Sequence, residues 1–141
     1  LHKEYRRAAS DVYKRQVFVS VKDNDKKYLP DLCRKLHDLG FNIVATKGTA
    51  EALKDQSFNV RIINKVLDGR PHIVDAILNK EIDMIINTTE GRQSIKDSFS
   101  IRRSALEHSI YLTTTISGGF AIVESLEKGV ENWNYKPLQL S

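Results

Sequence analysis

"FNIVATKGTA", residues 41–50, passes from an apolar strand into a helix across a short polar turn. Phe41, Ile43 and Val44 carry the aromatic and β-branched character of a strand. Thr46-Lys47-Gly48-Thr49 then brings two hydroxyls, a cation and a glycine. Ala50, Glu51, Ala52 and Leu53 are helix formers. A buried strand that exits through small polar residues into a helix is the unit of a parallel α/β sheet.

Outward from this unit the pattern repeats. "VFVSV" (17–21) reads as a strand, followed by "DKKYLPDLCRKLHDLG". Leu29, Leu32, Cys33, Leu36 and Leu39 fall on one helical stripe, Pro30 belongs to the first turn, and Gly40 is a stop. "FNIVAT" is the second strand and "TAEALKDQ" a short helix. "VRIIN" (60–64) is the third strand. "HIVDAILNKE" (72–81) is a helix with Ile73, Ala76 and Ile77 facing inward. "DMIINT" (83–88) is the fourth strand. Residues 97–108, "DSFSIRRSALEH", are helical, with Asp97, Ser98 and Ser100 as candidate caps. "IYLTT" (110–114) is the fifth strand, and "SGGFAIVESLEKG" closes with a helix carrying Phe120, Val123 and Leu126. Strands alternating with helices predict an α/β fold: five parallel strands with helices on both faces.

The 141 residues suit one domain, at 40% hydrophobic and 28% charged. Residues 17–129 form that domain. The polar, basic segment 1–16 reads as a linker or a non-native stretch, and 130–141 as a C-terminal tail. No run approaches the roughly 18 apolar residues of a membrane span. The single cysteine, Cys33, rules out an internal disulfide framework and fits a cytoplasmic chain. The formal charge of +4 suits a small anionic ligand and does not point to nucleic acid or a membrane.

In open α/β sheets, ligands bind beyond the carboxyl ends of the strands. The five exits offer Ser20, Lys22 and Lys26; Thr46, Lys47, Gly48 and Thr49; Asn64 and Lys65; Asn87, Thr88 and Thr89; and Thr113, Thr114 and Thr115 before Gly118-Gly119. Hydroxyls, amides and lysines are donors, and a phosphate needs donors. Thr49 is expected to open the helix and Gly48 to clear the approach. Asn87 and the neighbouring threonines could read a base or sugar. Each Ser or Thr taken alone is equally an ordinary helix cap. The convergence of five exits is what favours a phosphate site. Neither a G-x-G-x-x-G nor a G-x-x-x-x-G-K-[ST] pattern occurs, which argues against a dinucleotide site or P-loop.

The remaining chemistry-bearing residues read as structural. His37 and His108 lie on or at the end of helices, and His72 starts one. No two histidines stand at metal-ligand spacing, so no metal site is expected. Cys33 lies on the apolar stripe. Arg102-Arg103 form an exposed basic face or reach a ligand. Asp23, Asp25, Asp68 and Asp97 are the only carboxylates near the exits, and Asp25 and Asp97 are also cap candidates. A binding role therefore outranks catalysis, and no catalytic residue is assigned.

"SVKDNDK" (20–26), "ATKGTA" (45–50), "INKV" (63–66), "GRPHIVDAI" (69–77), "IINTTEGRQSIKDSFSIRRSAL" (85–106) and "TTTISGGFA" (113–121) resemble one family throughout. It is the C-terminal allosteric domain of the carbamoyl phosphate synthetase large chain, a methylglyoxal-synthase-like fold. The resemblance covers about residues 17–127. It implies a three-layer sandwich around a five-stranded parallel sheet. It also implies a regulatory role: binding of nucleoside monophosphate effectors, with UMP an inhibitor and IMP an activator. Residues matching Lys26, Thr46, Thr49 and Lys65 would hold the phosphate. Those matching Ser20, Asn87, Thr89 and Ser98 would contact ribose or base, and Thr114 would border an ornithine site. The implied partners are the synthetase domains of the same chain, which use ATP with Mg or Mn, and a glutaminase small subunit. No cofactor is implied for this domain.

Two positions depart from the family. Leu112 stands where ornithine-responsive members carry an aromatic hydroxyl residue, and Lys47 replaces a histidine beside the phosphate threonines. Two enzymes of the same fold are alternatives: a free-standing methylglyoxal synthase, and the cyclohydrolase half of the bifunctional purine enzyme, whose segments match less well. The synthase takes its catalytic aspartate from a Gly-Gly-Asp segment before the helix "HIVDAIL". Here that segment is "DGRPH", with Arg70 near the required carboxylate.

Overall fold

The computed structural model describes residues 15–89 and 92–129. Residues 1–14 and the tail 130–141, both singled out above, lie outside them. Five strands form one parallel sheet: β1 Arg15–Ser20, β2 Phe41–Ala45, β3 Val60–Ile62, β4 Met84–Asn87 and β5 Tyr111–Thr113. The helices are α1 Leu29–Asp38, α2 Lys47–Glu51, α3 Ile73–Leu78, α4 Arg92–Glu107 and α5 Ile116–Lys128. Short 3-10 segments, Asp23–Tyr28 and Val66–Asp68, precede α1 and α3.

The strand order is β3-β2-β1-β4-β5. The chain runs outward from β1 to β3, then returns to β4 on the other side of β1. Loops leaving β1 and β4 diverge there and open a crevice, the usual ligand position in such sheets. The apolar runs of the central strands follow from burial on both faces. Val17, Val19, Ile43, Met84 and Ile86 face α1 and α5, meeting Leu32, Cys33, Leu36, Val123 and Leu126. Phe18, Val44 and Ile85 face α3 and α4, meeting Ile73, Ala76, Ile77, Ile101 and Ala105. The two edge strands, β3 and β5, are three residues each.

Several boundaries shift from the sequence reading. β1 begins at Arg15, two residues earlier, because Arg15 and Gln16 pair with Phe41 and Asn42 of β2; the Gln16 N–H also donates to the Asp83 carboxylate at 2.8 Å and its side chain to the Glu81 carbonyl. α2 opens at Lys47 with Thr46 in the N-cap position, so Thr49 sits inside its first turn rather than at its start. α4 begins at Arg92, so Asp97, Ser98 and Ser100 are interior residues and not caps. α1 stops as anticipated: Gly40 takes φ +99° and its N–H donates to the His37 carbonyl at 3.0 Å.

Candidate functional site

The loop after β1 is held between two others. The Val21 N–H donates to Thr49 Oγ1 at 3.2 Å, from the β2 exit. The Lys22 N–H donates to Thr88 Oγ1 at 2.9 Å, from the β4 exit, and the Thr88 N–H returns a bond to the Ser20 carbonyl at 2.9 Å. Buried backbone donors at strand ends need partners, and these threonine hydroxyls supply them. Thr46 Oγ1 donates within 3.2 Å of Thr49 Oγ1 and lies 3.5 Å from Ser20 Oγ. Three hydroxyls from two chain segments are thus linked.

Around them lies a pocket of about 420 Å³, within the usual range for small-molecule sites. Ser20, Lys26, Thr46, Thr49, Lys65, Asn87, Thr89 and Ser98 all line it. Thr46, Thr49, Asn87 and Ser98 are buried. Asn87 Nδ2 donates to Ser98 Oγ at 3.0 Å, which ties β4 to α4 and orients the amide. Phe18, Val66, Ile73 and Ile101 give the pocket an apolar floor. One wall is donor-rich and the floor is apolar, which suits a ligand with an anionic end and a flat or aliphatic body.

The electrostatics centre on Lys26. Its ammonium lies 2.8 Å from Asp23 Oδ1 and would stand 3.6 Å from a methyl group placed on Gly48. It therefore overhangs the turn from Thr46 to Thr49. Lys26, and to a smaller extent Lys65, hold the Asp23 carboxyl below its ordinary value. Both lysines thus act on the same small volume.

Other residues fall elsewhere. Thr114 is exposed after β5 and outside the pocket, and Lys47 is exposed and outside it too. Arg102 and Arg103 are exposed on α4. Arg70 donates to the Asp75 carboxylate, and neither lines the pocket. Cys33 is buried in the core, and burial pushes its thiol up to about 12. His37 stacks on Phe58 with ring centroids 5.0 Å apart, and His108 Nδ1 lies 2.9 Å from the Ser104 carbonyl. Among the described residues, no group of His, Cys, Asp and Glu could hold a metal, and no helix is long and apolar enough to cross a membrane.

The sequence reading left Thr88 and Asp23 out of the assigned site. Thr88 stood in the strand-exit inventory, and its burial at 4% depends on the β1–β4 adjacency, which local pattern does not show. Asp23 could have been found from its spacing to Lys26, three residues along a helical turn. The apolar floor comes from β1, the 3-10 segment before α3, α3 and α4.

A donor-lined pocket at the switch point of a parallel 3-2-1-4-5 sheet places the chain among doubly wound α/β modules. The family model for the MGS-like domain matches residues 28–114, and the chain belongs to that family. It is 57% identical over 114 residues to the carbamoyl phosphate synthase large chain of Pseudomonas syringae pv. tomato, covering 81% of this chain and 11% of that protein. The Pseudomonas aeruginosa large chain is 54% identical over the same length, with the same coverage. The chain therefore spans about a tenth of these relatives. The solved methylglyoxal synthase of Elizabethkingia anophelis superposes with a TM-score of 0.62 at 16% identity, covering 78% of this chain and 77% of that one. At that identity the likeness speaks to the fold alone.

Proposed function

We propose that this domain is the regulatory module of a cytoplasmic glutamine-dependent carbamoyl phosphate synthase large chain and binds a nucleoside monophosphate effector in the pocket. One observation carries the reading: eight residues scattered from Ser20 to Ser98 converge on a single cavity. Lys26, Lys65, Thr46 and Thr49 take the phosphate, and Ser20, Asn87, Thr89 and Ser98 the ribose and base. UMP is the inhibitory candidate and IMP the activating one. The synthetase domains of the same chain and the glutaminase small subunit are the proposed partners. Thr114 lies on the far edge of the sheet, so an ornithine border there would be separate from the effector pocket.

A methylglyoxal synthase reading gains nothing from the site. The segment that would supply its base presents Arg70 bound to Asp75, away from the pocket. Asp23, the one carboxylate among the described lining residues, is held ionised by Lys26, which makes it a weak base.

Calorimetric titration with UMP, IMP, uridine and inosine tests the proposal. Both nucleotides bind, the nucleosides bind far more weakly, and Lys26→Met weakens nucleotide binding by about tenfold or more, the scale of one charge-assisted hydrogen bond. No heat and no phosphate-competable binding at millimolar nucleotide would sink it. In the intact synthase, an effector changes activity only through unequal affinity for two states, so regulation is measured there.

A further inference from the structure

One carboxylate, Asp23, stands at the rim of the pocket. Asp23 Oδ1 accepts from Lys26 Nζ at 2.8 Å. The Lys26 side chain is 30% exposed, whereas that of Asp23 is 90% exposed. The ammonium belongs to the pocket, and the carboxylate reaches it from the rim. Lys26 also overhangs Gly48, so a phosphate seated on the Thr46–Thr49 turn would use the same ammonium. The charge of Lys65 reaches Asp23 as well. An ordinary surface pair on one helical turn would touch only its own turn. This one takes a donor that the ligand needs, and it lines the cavity.

We propose that Asp23 is a built-in counter-anion of the phosphate subsite, competing with ligand phosphate for Lys26 and lowering affinity in proportion to ligand charge. The proposal rests on the effector reading above. In the empty pocket the carboxylate neutralises Lys26. When a phosphate arrives, the exposed carboxylate swings to solvent or shares the ammonium at the cost of repulsion. The repulsion is larger for a triphosphate than for a monophosphate, so Asp23 also favours ligands bearing a single phosphate.

The test uses the 141-residue chain, with UMP, UTP, uridine and inorganic phosphate as probes, in the wild type, Asp23→Asn, Asp23→Ser and Lys26→Met. Removing one exposed charge next to the subsite tightens UMP and phosphate by about three- to tenfold at low ionic strength. UTP gains more than UMP and uridine gains nothing. The gain shrinks in about 0.5 M salt, as screening demands. Both Asp23 variants behave alike, because the residue is exposed and thermal unfolding is little changed. If Lys26→Met weakens UMP while both Asp23 variants leave it unchanged or weaker, the counter-anion role is wrong and the effector reading stands. If Asp23→Asn tightens uridine as much as UMP, the effect is not electrostatic and the role is again wrong. If neither wild type nor variants bind UMP or phosphate, the effector reading itself falls, and this inference with it.

Discussion

The exits of β2 and β5 look alike in sequence and do different work. "ATKGTA" and "TTTISGG" both follow an apolar strand with threonines and glycine and both open a helix. After β2, Thr46 and Thr49 are 3% and 2% exposed and join Ser20 and Val21 in the pocket. After β5, Thr114 and Thr115 are exposed, and Thr115 Oγ1 accepts from the Gly118 N–H at 2.9 Å as a helix cap. The glycines divide in the same way. A methyl group on Gly48 would meet only the Lys26 ammonium, whereas one on Gly118 would collide with Thr113 Oγ1. Gly119 is less crowded: a methyl group there would lie 3.2 Å from Leu32 Cδ2 and 3.3 Å from Ile86 Cδ1. The chemistry of an exit sets what it can bind. Its rank in the sheet order decides whether it reaches the pocket: β2 flanks β1 at the switch point, and β5 is an edge.

Substitutions can break this contrast. Thr49→Val is expected to act most widely. It strands the Val21 N–H, destabilising by about 1–3 kcal/mol, and removes a donor of the proposed phosphate subsite. Chemical denaturation and UMP titration should both respond. Gly118→Ala destabilises by about 1–3 kcal/mol through overpacking and leaves UMP affinity unchanged. Gly48→Ala does the reverse, keeping or slightly raising stability within a helix and weakening the nucleotide. If Gly118→Ala altered binding at constant fold, the two exits would not be separable. Thr115→Ala costs about 1 kcal/mol in thermal unfolding, the ordinary loss of an N-cap, with no effect on ligand.

The mildest effect belongs to the start of α3, which carries Ile73 into the pocket floor. Arg70, then the His72 N–H, hold the Asp75 carboxyl down to about 2, against an ordinary 3.8. A depressed folded value means that the ionised form favours the native state. The contribution is present above about pH 4 and fades as pH falls towards 2. Thermal melts across that window should show Arg70→Gln less stable than the wild type above about pH 4 and losing less stability on acidification.

Much of this was readable from local pattern because the central strands are buried on both faces and announce themselves as apolar runs. Seven of the eight lining positions stand among the hydroxyls, amides and lysines of the strand exits, whereas Ser98 was named as a site residue only through the family resemblance. What stayed hidden was non-local. Ser98 has the chemistry of a cap, yet it lies inside α4, where its hydroxyl accepts from the Asn87 side chain on β4. Thr49 resembled a helix opener, and its hydroxyl instead serves the Val21 amide across the sheet. Gln16 looked like linker until Asp83, far along the chain, received its N–H.

Cys33 offers a consequence of a practical kind. It is the sole thiol of the chain, it is fully buried between α1 and the sheet, and its ionisation is pushed up to about 12. A disulfide reagent should find it only when α1 lifts from the sheet, so its labelling rate is a native clock for opening. Because a ligand that binds the folded form alone makes opening rarer by the factor 1 + [L]/Kd, the same clock reads effector occupancy without a reporter being added.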